Sequence, residues 1–285
     1  MRTLNRQPGF TLVEMIMVIV ITGIIGGMVA VFLKAPIQQY MDVARRAELT
    51  DIADTAILRM ARDVRTAVPN SVRTANCGAN QCVEYLPTRD GARYRAAQDC
   101  TAACTGNVLN FGVADGSFDI IGTANFAAND YIVVGSTQSD GNPPYDQTSS
   151  GILRPYTGPA GLQTSVTFTN PAPGLPAWAE LPSQRFDVVD GSQQAVTYTC
   201  ENVGVDSGGN GTGQLKRYWK YGFNPTQQNP PAGGQSAILA DKVSACTIDY
   251  VLSNQRFGLL AVRLTLTSSG ESVSLYNEIH VNNAP

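Results

Sequence analysis

The most constraining feature of this sequence is an apolar stretch near its beginning, from Phe10 to Leu33. Over its 24 residues the only ionisable side chain is Glu14, and the only other polar side chains are Thr11 and Thr22. About 20 such residues allow an α-helix to cross the hydrocarbon core of a bilayer. The stretch therefore predicts a transmembrane helix that carries one carboxylate near its start.

The flanks of this stretch predict its orientation and its processing. Arg2 and Arg6 precede it and Lys34 follows it, so the short basic flank should stay in the cytoplasm while the remainder is exported. A cleavable signal peptide would have an apolar core of about 7 to 15 residues with small residues after it, and this run is longer. A simple signal anchor remains the alternative interpretation. It does not explain the carboxylate of Glu14, since such a group costs about 2.5 to 3.5 kcal/mol at the centre of a membrane helix.

The sequence "GFTLVE" at residues 9–14, after a short basic leader, resembles the class III signal of type IV pilins and pseudopilins. The resemblance implies that a membrane peptidase cuts between Gly9 and Phe10 and methylates the new N-terminus of Phe10. The cut creates an ammonium group on Phe10, and Glu14 of a neighbouring subunit can neutralise it inside the membrane. Because breaking a buried ion pair costs about 3 to 5 kcal/mol, the resemblance makes Glu14 an assembly residue.

A second helical segment is predicted over residues 35–68, where apolar side chains recur at the spacing of one helix face. This apolar stripe consists of Leu49, Ile52, Ala53, Ala56, Ile57, Met60, Val64 and Val68. Pro36 could kink the chain between the two helical halves, and Pro69 should end the helix. Arg59 and Asp63 are four residues apart, and we expect them to pair on the solvated face.

Beyond Pro69 the sequence is typical of short alternating strands separated by turn residues. Three strands near the C-terminus, at 243–252, 259–267 and 272–281, predict an antiparallel meander with one buried face. Earlier candidate strands are residues 82–87, 108–113, 130–136, 165–170, 185–190, 195–201 and 215–223. We expect a single domain, because the long loops contain no second apolar core.

The predicted organisation therefore has four parts. A leader at 1–9 is followed by a transmembrane and polymerisation helix at 10–34, an amphipathic helix at 35–68 and a β-rich periplasmic domain at 69–285. The predicted fold class is α+β, with a long N-terminal helix packed on an antiparallel β-sheet, as in pilins.

Six cysteines lie beyond the apolar stretch and indicate an oxidising compartment. Cys200 and Cys246 lie on separate predicted strands, and a disulfide between them is the preferred pairing. The remaining cysteines have spacings that suit a four-sulfur zinc site, two local disulfides or two crossed disulfides; they are Cys77, Cys82, Cys100 and Cys104. Disulfides are favoured over zinc in an exported protein, and the pairing within this quartet stays open.

Two further segments resemble a narrower group. The sequences "ILRMARDVRTAVPNSVR" (57–73) and "GLLAVRLTLTSSGESVSLYNEIHVNNAP" (258–285) are similar to minor pilin-like subunits of the PilW, GspJ and MshO group, and "AVPNSVR" most resembles MshO of mannose-sensitive haemagglutinin (MSHA) pili. The resemblance implies a subunit that primes or caps a filament. Its partners would be other minor and major pilins, the prepilin peptidase and the inner membrane, from which the subunit passes into the pilus or pseudopilus. The alternative is an adhesin or ligand-binding module displayed at the filament tip on the same anchor.

Enzymatic and metal chemistry have weaker support. His280 is the only histidine, so a symmetric acid/base pair cannot form, and we expect neither catalysis nor a cofactor. The glycine-rich "GGNGTG" at 208–213 lacks the Lys-Ser/Thr of a phosphate loop and predicts a turn. Asp115, Asp119 and Asp206 offer the oxygen ligands that calcium prefers, although aspartate-rich turns without a metal are far commoner.

Nucleic-acid binding is not expected. Removal of Arg2 and Arg6 would leave 18 basic and 23 acidic residues, whereas a DNA-binding domain usually has a concentrated basic surface. The strand-like "LKRYWKYGF" at 215–223 interleaves three cations with aromatic rings and could stack on bases. Such a strand is more often half core and half solvated edge.

Overall fold

The computed structural model describes residues 9–75, 77–78, 81–101, 103–137, 144–254 and 257–283. A helix of 54 residues, α1 (Leu12–Arg65), opens the fold and contains Pro36. The chain divides into two compact units, one ending at Glu48 and the other beginning at Leu49. Helix α1 contributes residues to both units.

From Leu12 onward, the first unit is exposed helix. Thr22 Oγ1 donates to the carbonyl oxygens of Val18 (2.6 Å) and Ile19 (3.1 Å), which satisfies this hydroxyl within the helix. By length and composition α1 can span a membrane, and no residue of its most apolar window is buried. An apolar surface of this size needs lipid or other subunits to cover it.

Twelve strands follow in the described residues. They are β1 (Cys82–Tyr85), β2 (Thr88–Tyr94), β3 (Ser117–Phe126), β4 (Tyr131–Val134), β5 (Leu153–Pro155), β6 (Gly161–Thr167), β7 (Arg185–Val189), β8 (Val196–Glu201), β9 (Gly213–Trp219), β10 (Gln235–Asn254), β11 (Phe257–Ser268) and β12 (Glu271–Asn282). The predicted strand at 108–113 is wrong, because these residues form a loop. Strands β2, β3 and β5 were not predicted, since glycine and charged residues interrupt their alternation and only pairing with neighbours specifies them.

The strands form two six-stranded antiparallel sheets. The first sheet has the order β1-β8-β9-β10-β11-β12, and the second has the order β5-β4-β7-β2-β3-β6. The predicted meander is confirmed, because β10, β11 and β12 pair in sequence order. Its buried face contains Leu260, Val262, Leu264 and Leu266.

The C-terminal part of α1 packs on the first sheet through the predicted stripe. Within α1 every stripe residue is buried except Ile52, which is half-buried. Val68 is also buried, but it lies beyond the end of α1 and packs in a separate cluster with Leu86. The sheet contributes apolar side chains from all six strands to this core, among them Val83, Tyr198, Leu215, Ile248, Leu264 and Ile279. Each large apolar side chain buried in this way contributes about 1.5 to 3 kcal/mol, so packing holds the part of the helix from Leu49 to Val64.

The second sheet has a core of its own, which corrects the expectation that no second apolar core exists. The rings of Phe118 and Phe186 meet edge to face with centroids 5.3 Å apart, and those of Phe126 and Tyr156 stack at 4.1 Å. The residues of this core are scattered over several strands and the loops between them. They form no continuous apolar run, and only the strand pairing brings them together.

Candidate assembly site at the helix N-terminus

The predicted cleavage site lies at the exposed N-terminal end of the described chain. Phe10 is 84% exposed, and a Cβ atom built on Gly9 would meet no atom within 4 Å. The fold therefore makes no steric demand for glycine at this position. A requirement for Gly9 has to come from a molecule that binds the chain there.

Glu14 lies in the first turn of α1 and closes a capping box with Thr11. The backbone amide of Glu14 donates to Thr11 Oγ1 (3.3 Å), and the backbone amide of Thr11 donates to Glu14 Oε2 (3.4 Å). This reciprocal pattern, Ser/Thr followed three residues later by Glu, satisfies two amides at a helix start. The role of Thr11 was missed at the level of sequence, although the signal was present in "TLVE".

The capping box gives Glu14 a role within its own chain in addition to the predicted role in assembly. The carboxylate has an intrachain function, and its charge also interacts favourably with the helix dipole. Thr11 Oγ1 lies 3.5 Å from the same oxygen, Oε2, and within the described residues no hydrogen bond reaches Oε1. The carboxylate can therefore cap its own helix and still accept from a cation on another chain.

All six cysteines form disulfides: Cys77–Cys82, Cys100–Cys104 and Cys200–Cys246. The long-range bridge joins β8 to β10, which is the preferred pairing. The spacing of the other four cysteines left their pairing open, and this quartet forms two local bridges. Its sulfur atoms are therefore not available as the four thiolates of a zinc site.

Most of the other candidate residues are engaged within the fold. In β9, Lys216 Nζ lies 2.8 Å from Glu201, and Arg217 Nε lies 3.1 Å from Asp63, so two of the three cations in "LKRYWKYGF" are paired internally. Of the three aspartates considered for calcium, Asp206 accepts from the amides of its own turn. The other two accept from the amides of nearby asparagines, Asn110 for Asp115 and Asn107 for Asp119. His280 is exposed on β12 opposite Leu259.

A polar cluster that the sequence did not reveal fastens α1 to the first sheet. Asp63 Oδ2 accepts from Tyr198 Oη (2.6 Å), Arg217 Nε (3.1 Å) and Tyr85 Oη (3.4 Å). Burial and the bond to this carboxylate raise the pKa of Tyr198. The predicted solvated pairing of Asp63 with Arg59 is therefore wrong, because Asp63 points from the margin of the stripe to Arg217, which is 8% exposed.

Comparison with known proteins agrees with the N-terminal geometry. Residues 4–30 match the family model described as "Prokaryotic N-terminal methylation motif". No curated protein and no solved structure matches the chain significantly. The motif and the apolar helix that carries it indicate a type IV pilin-like protein. Such a protein interacts in general with other pilins and with the prepilin peptidase, and the helix fits a membrane-anchored pilin. Residues 1–8, including Arg2 and Arg6 of the leader, lie outside the described residues.

Proposed function

We propose that this chain is a minor pilin-like subunit that primes or caps an MSHA-type pilus and has no enzymatic activity of its own. The observation that carries the proposal is the single carboxylate at the start of an exposed apolar helix, five residues after the glycine of the matched motif. The similarity of residues 57–73 and 258–285 to the PilW, GspJ and MshO group supports the narrower assignment. The β-rich domain would lie in the periplasm.

The proposed mechanism begins with cleavage after Gly9 and methylation of Phe10. The new ammonium group lies one residue before Thr11, whose amide is already 3.4 Å from Glu14 Oε2. On assembly, Glu14 of one subunit pairs with the ammonium of the next within the membrane-facing helices. Two charges that are costly in hydrocarbon then neutralise each other.

A second candidate function, a tip-displayed ligand-binding module, is favoured by one cavity. It has a volume of about 260 Å³ and is lined by uncharged residues, among them Trp178 and the hydroxyl-bearing Ser149 and Ser150. The fully buried Arg154 supports one wall, because it donates to the carbonyl oxygens of Thr148 (2.9 Å) and Ser149 (3.2 Å). Apolar walls with a few polar groups are typical of small-molecule sites.

Three substitutions separate the two roles of Glu14. Glu14→Gln keeps a capping acceptor but removes the charge, Glu14→Ala removes both, and Thr11→Ala weakens the cap but keeps the charge. All three should be inserted and cleaved normally. Loss of about 3 to 5 kcal/mol of pairing energy corresponds to a decrease of about 150-fold to 4,000-fold in subunit association.

Crosslinking to neighbouring pilins in cells measures that association. Glu14→Gln and Glu14→Ala should both abolish incorporation, whereas Thr11→Ala should be incorporated. Normal incorporation of Glu14→Gln would show that the cap, and not the charge, is what assembly needs. Intact piliation together with loss of ligand binding in a Trp178→Ala variant would instead favour the ligand-binding module.

A further inference from the structure

Strand β12 lies at the end of the strand order of the first sheet. Of the described strands, only β11 pairs with it, in an unbroken register from Ser268↔Glu271 to Phe257↔Asn282. Natural edge strands are usually short, bulged, or protected by proline or lysine. Strand β12 has 12 residues and no bulge, and it contains no proline, lysine or arginine; its charged side chains are Glu271 and Glu278.

The opposite edge of the same sheet is covered. Strand β1 has four residues. The backbone amide of Arg73 donates to the carbonyl oxygen of Glu84, and the backbone amide of Glu84 donates to the carbonyl oxygen of Arg73, both at 2.9 Å. The guanidinium of Arg73 also pairs with the Glu84 carboxylate at 2.7 Å. The sheet is therefore covered at β1, whereas no described strand lies beyond β12.

The side chains of β12 divide into two faces. The outer face carries exposed polar or aromatic residues, which are Ser272, Ser274, Tyr276, Glu278, His280 and Asn282. On the core face Ile279 and Val281 are buried, and Asn277 is half-buried. Val273 and Leu275 are also only half-buried, although they pack on the core. An additional strand at this edge would cover the exposed part of those two side chains.

We propose that the occupant of this edge is β12 of a second copy of this chain, running antiparallel with Asn277 opposite Asn277. In this register the apolar residues of the core face oppose each other, Val273 against Val281 and Leu275 against Ile279 of the second copy. On the outer face Glu278 opposes Tyr276 of the second copy. Residues directly opposite in a sheet have Cβ atoms about 4.5 to 5.5 Å apart, so these pairs are in contact.

Neighbouring registers are less complementary. A shift by two residues in one direction places Glu278 opposite Glu278, a like-charge pair that destabilises a sheet. A shift in the other direction places Leu275 opposite Asn277. A shift by a single residue would exchange the core face for the outer face. The charge and the apolar pattern of β12 therefore select one self-pairing register, and the inference goes beyond the proposed function without depending on it.

Cysteine crosslinking of the full chain in its own membrane tests this register. Asn277→Cys should form an intermolecular disulfide on mild oxidation and give a species of twice the subunit mass. Ser274→Cys alone should not, because the two positions would lie about 20 Å apart along the strands. Co-expression of Ser274→Cys with His280→Cys should restore the crosslink, since these two positions oppose each other.

The native cysteines are all paired, and a peptide map of the Cys200–Cys246 bridge verifies that each variant is folded. At least a tenfold excess of crosslinked dimer for Asn277→Cys over Ser274→Cys is the expected result. Three results would each overturn the proposal. They are equal dimer yields for these two variants, an absence of dimer in correctly folded Asn277→Cys, and a crosslink from the introduced thiol of Asn277→Cys to a different protein.

Discussion

Replacing Asp63 with alanine should destabilise the domain far more than replacing any exposed acidic residue of the same helix. The carboxylate is 24% exposed and accepts from three side chains, and one of them, the guanidinium of Arg217, is 8% exposed. Removal of one partner of a buried pair costs about 3 to 5 kcal/mol. Because Asp63 is partly exposed to solvent, we expect the free energy of unfolding to fall by an amount near the lower limit, about 3 kcal/mol.

For a domain of this size, 1 kcal/mol shifts the melting temperature by about 2 to 4 °C, so Asp63→Ala should lower it by about 6 to 12 °C. Thermal unfolding of the protein purified in detergent, followed by near-UV circular dichroism, measures the shift. Asp54→Ala is the matched control, since Asp54 is exposed on the same helix, and it should change stability by less than about 0.5 kcal/mol.

The double variant Asp63→Leu with Arg217→Met sharpens this test. Replacing both charges with apolar side chains leaves no uncompensated buried charge, and such replacements are often neutral. The double variant should therefore be more stable than Asp63→Ala. If Asp63→Ala behaves like Asp54→Ala, the polar cluster does not fasten the helix to the sheet and the reasoning is refuted.

Three other changes have defined outcomes. Gly9→Leu should leave the leader attached in N-terminal mass spectrometry, because the demand for a small residue comes from the peptidase. Replacing Cys200 and Cys246 together with alanine should cost about 4 kcal/mol in urea unfolding, as expected for a bridge that spans 46 residues. Burial raises the pKa of Asp187 to about 6, so in the folded state this carboxyl stays protonated at pH values at which the unfolded chain has lost the proton. The native protein should therefore lose stability relative to Asp187→Asn as the pH rises from about 4 to 6. The loss should be about 1 kcal/mol once solvent screening is included.

Each of these has a control and a contrary result. Gly9→Ala should still be cleaved, and cleavage of Gly9→Leu would contradict the assignment. Loss of the Cys100–Cys104 bridge, which spans 4 residues, should cost about 2 kcal/mol or less, and an equal effect of both bridges would contradict the loop-length argument. A pH profile of Asp187→Asn that parallels that of the native protein would show that Asp187 is not the titrating group.

The helix was predictable because its signals are local. The apolar length, the 3.6-residue stripe from Leu49 to Val64 and the motif at Gly9 to Glu14 are all visible within a few turns of one another. The meander was predictable for the same reason, since its three strands follow each other and alternate cleanly. The preferred Cys200–Cys246 pairing also followed from neighbouring alternation on two strands.

The second sheet and the polar cluster required the tertiary structure. Phe118 and Phe186 meet across 68 residues of sequence, and Asp63 meets Arg217 across 154, so no short window contains either pair.

By itself, the sequence determined that this chain contains a membrane-length helix that has one acid at its start, and that an amphipathic half follows. Those properties depend on helix periodicity and transfer free energy, which act residue by residue. Only the tertiary structure decided that the two sheets have separate cores, and that β12 is the last of the described strands in the first sheet. Such features depend on which strands pair, and pairing is a property of the whole chain, because each strand can satisfy its backbone hydrogen bonds with many alternative partners.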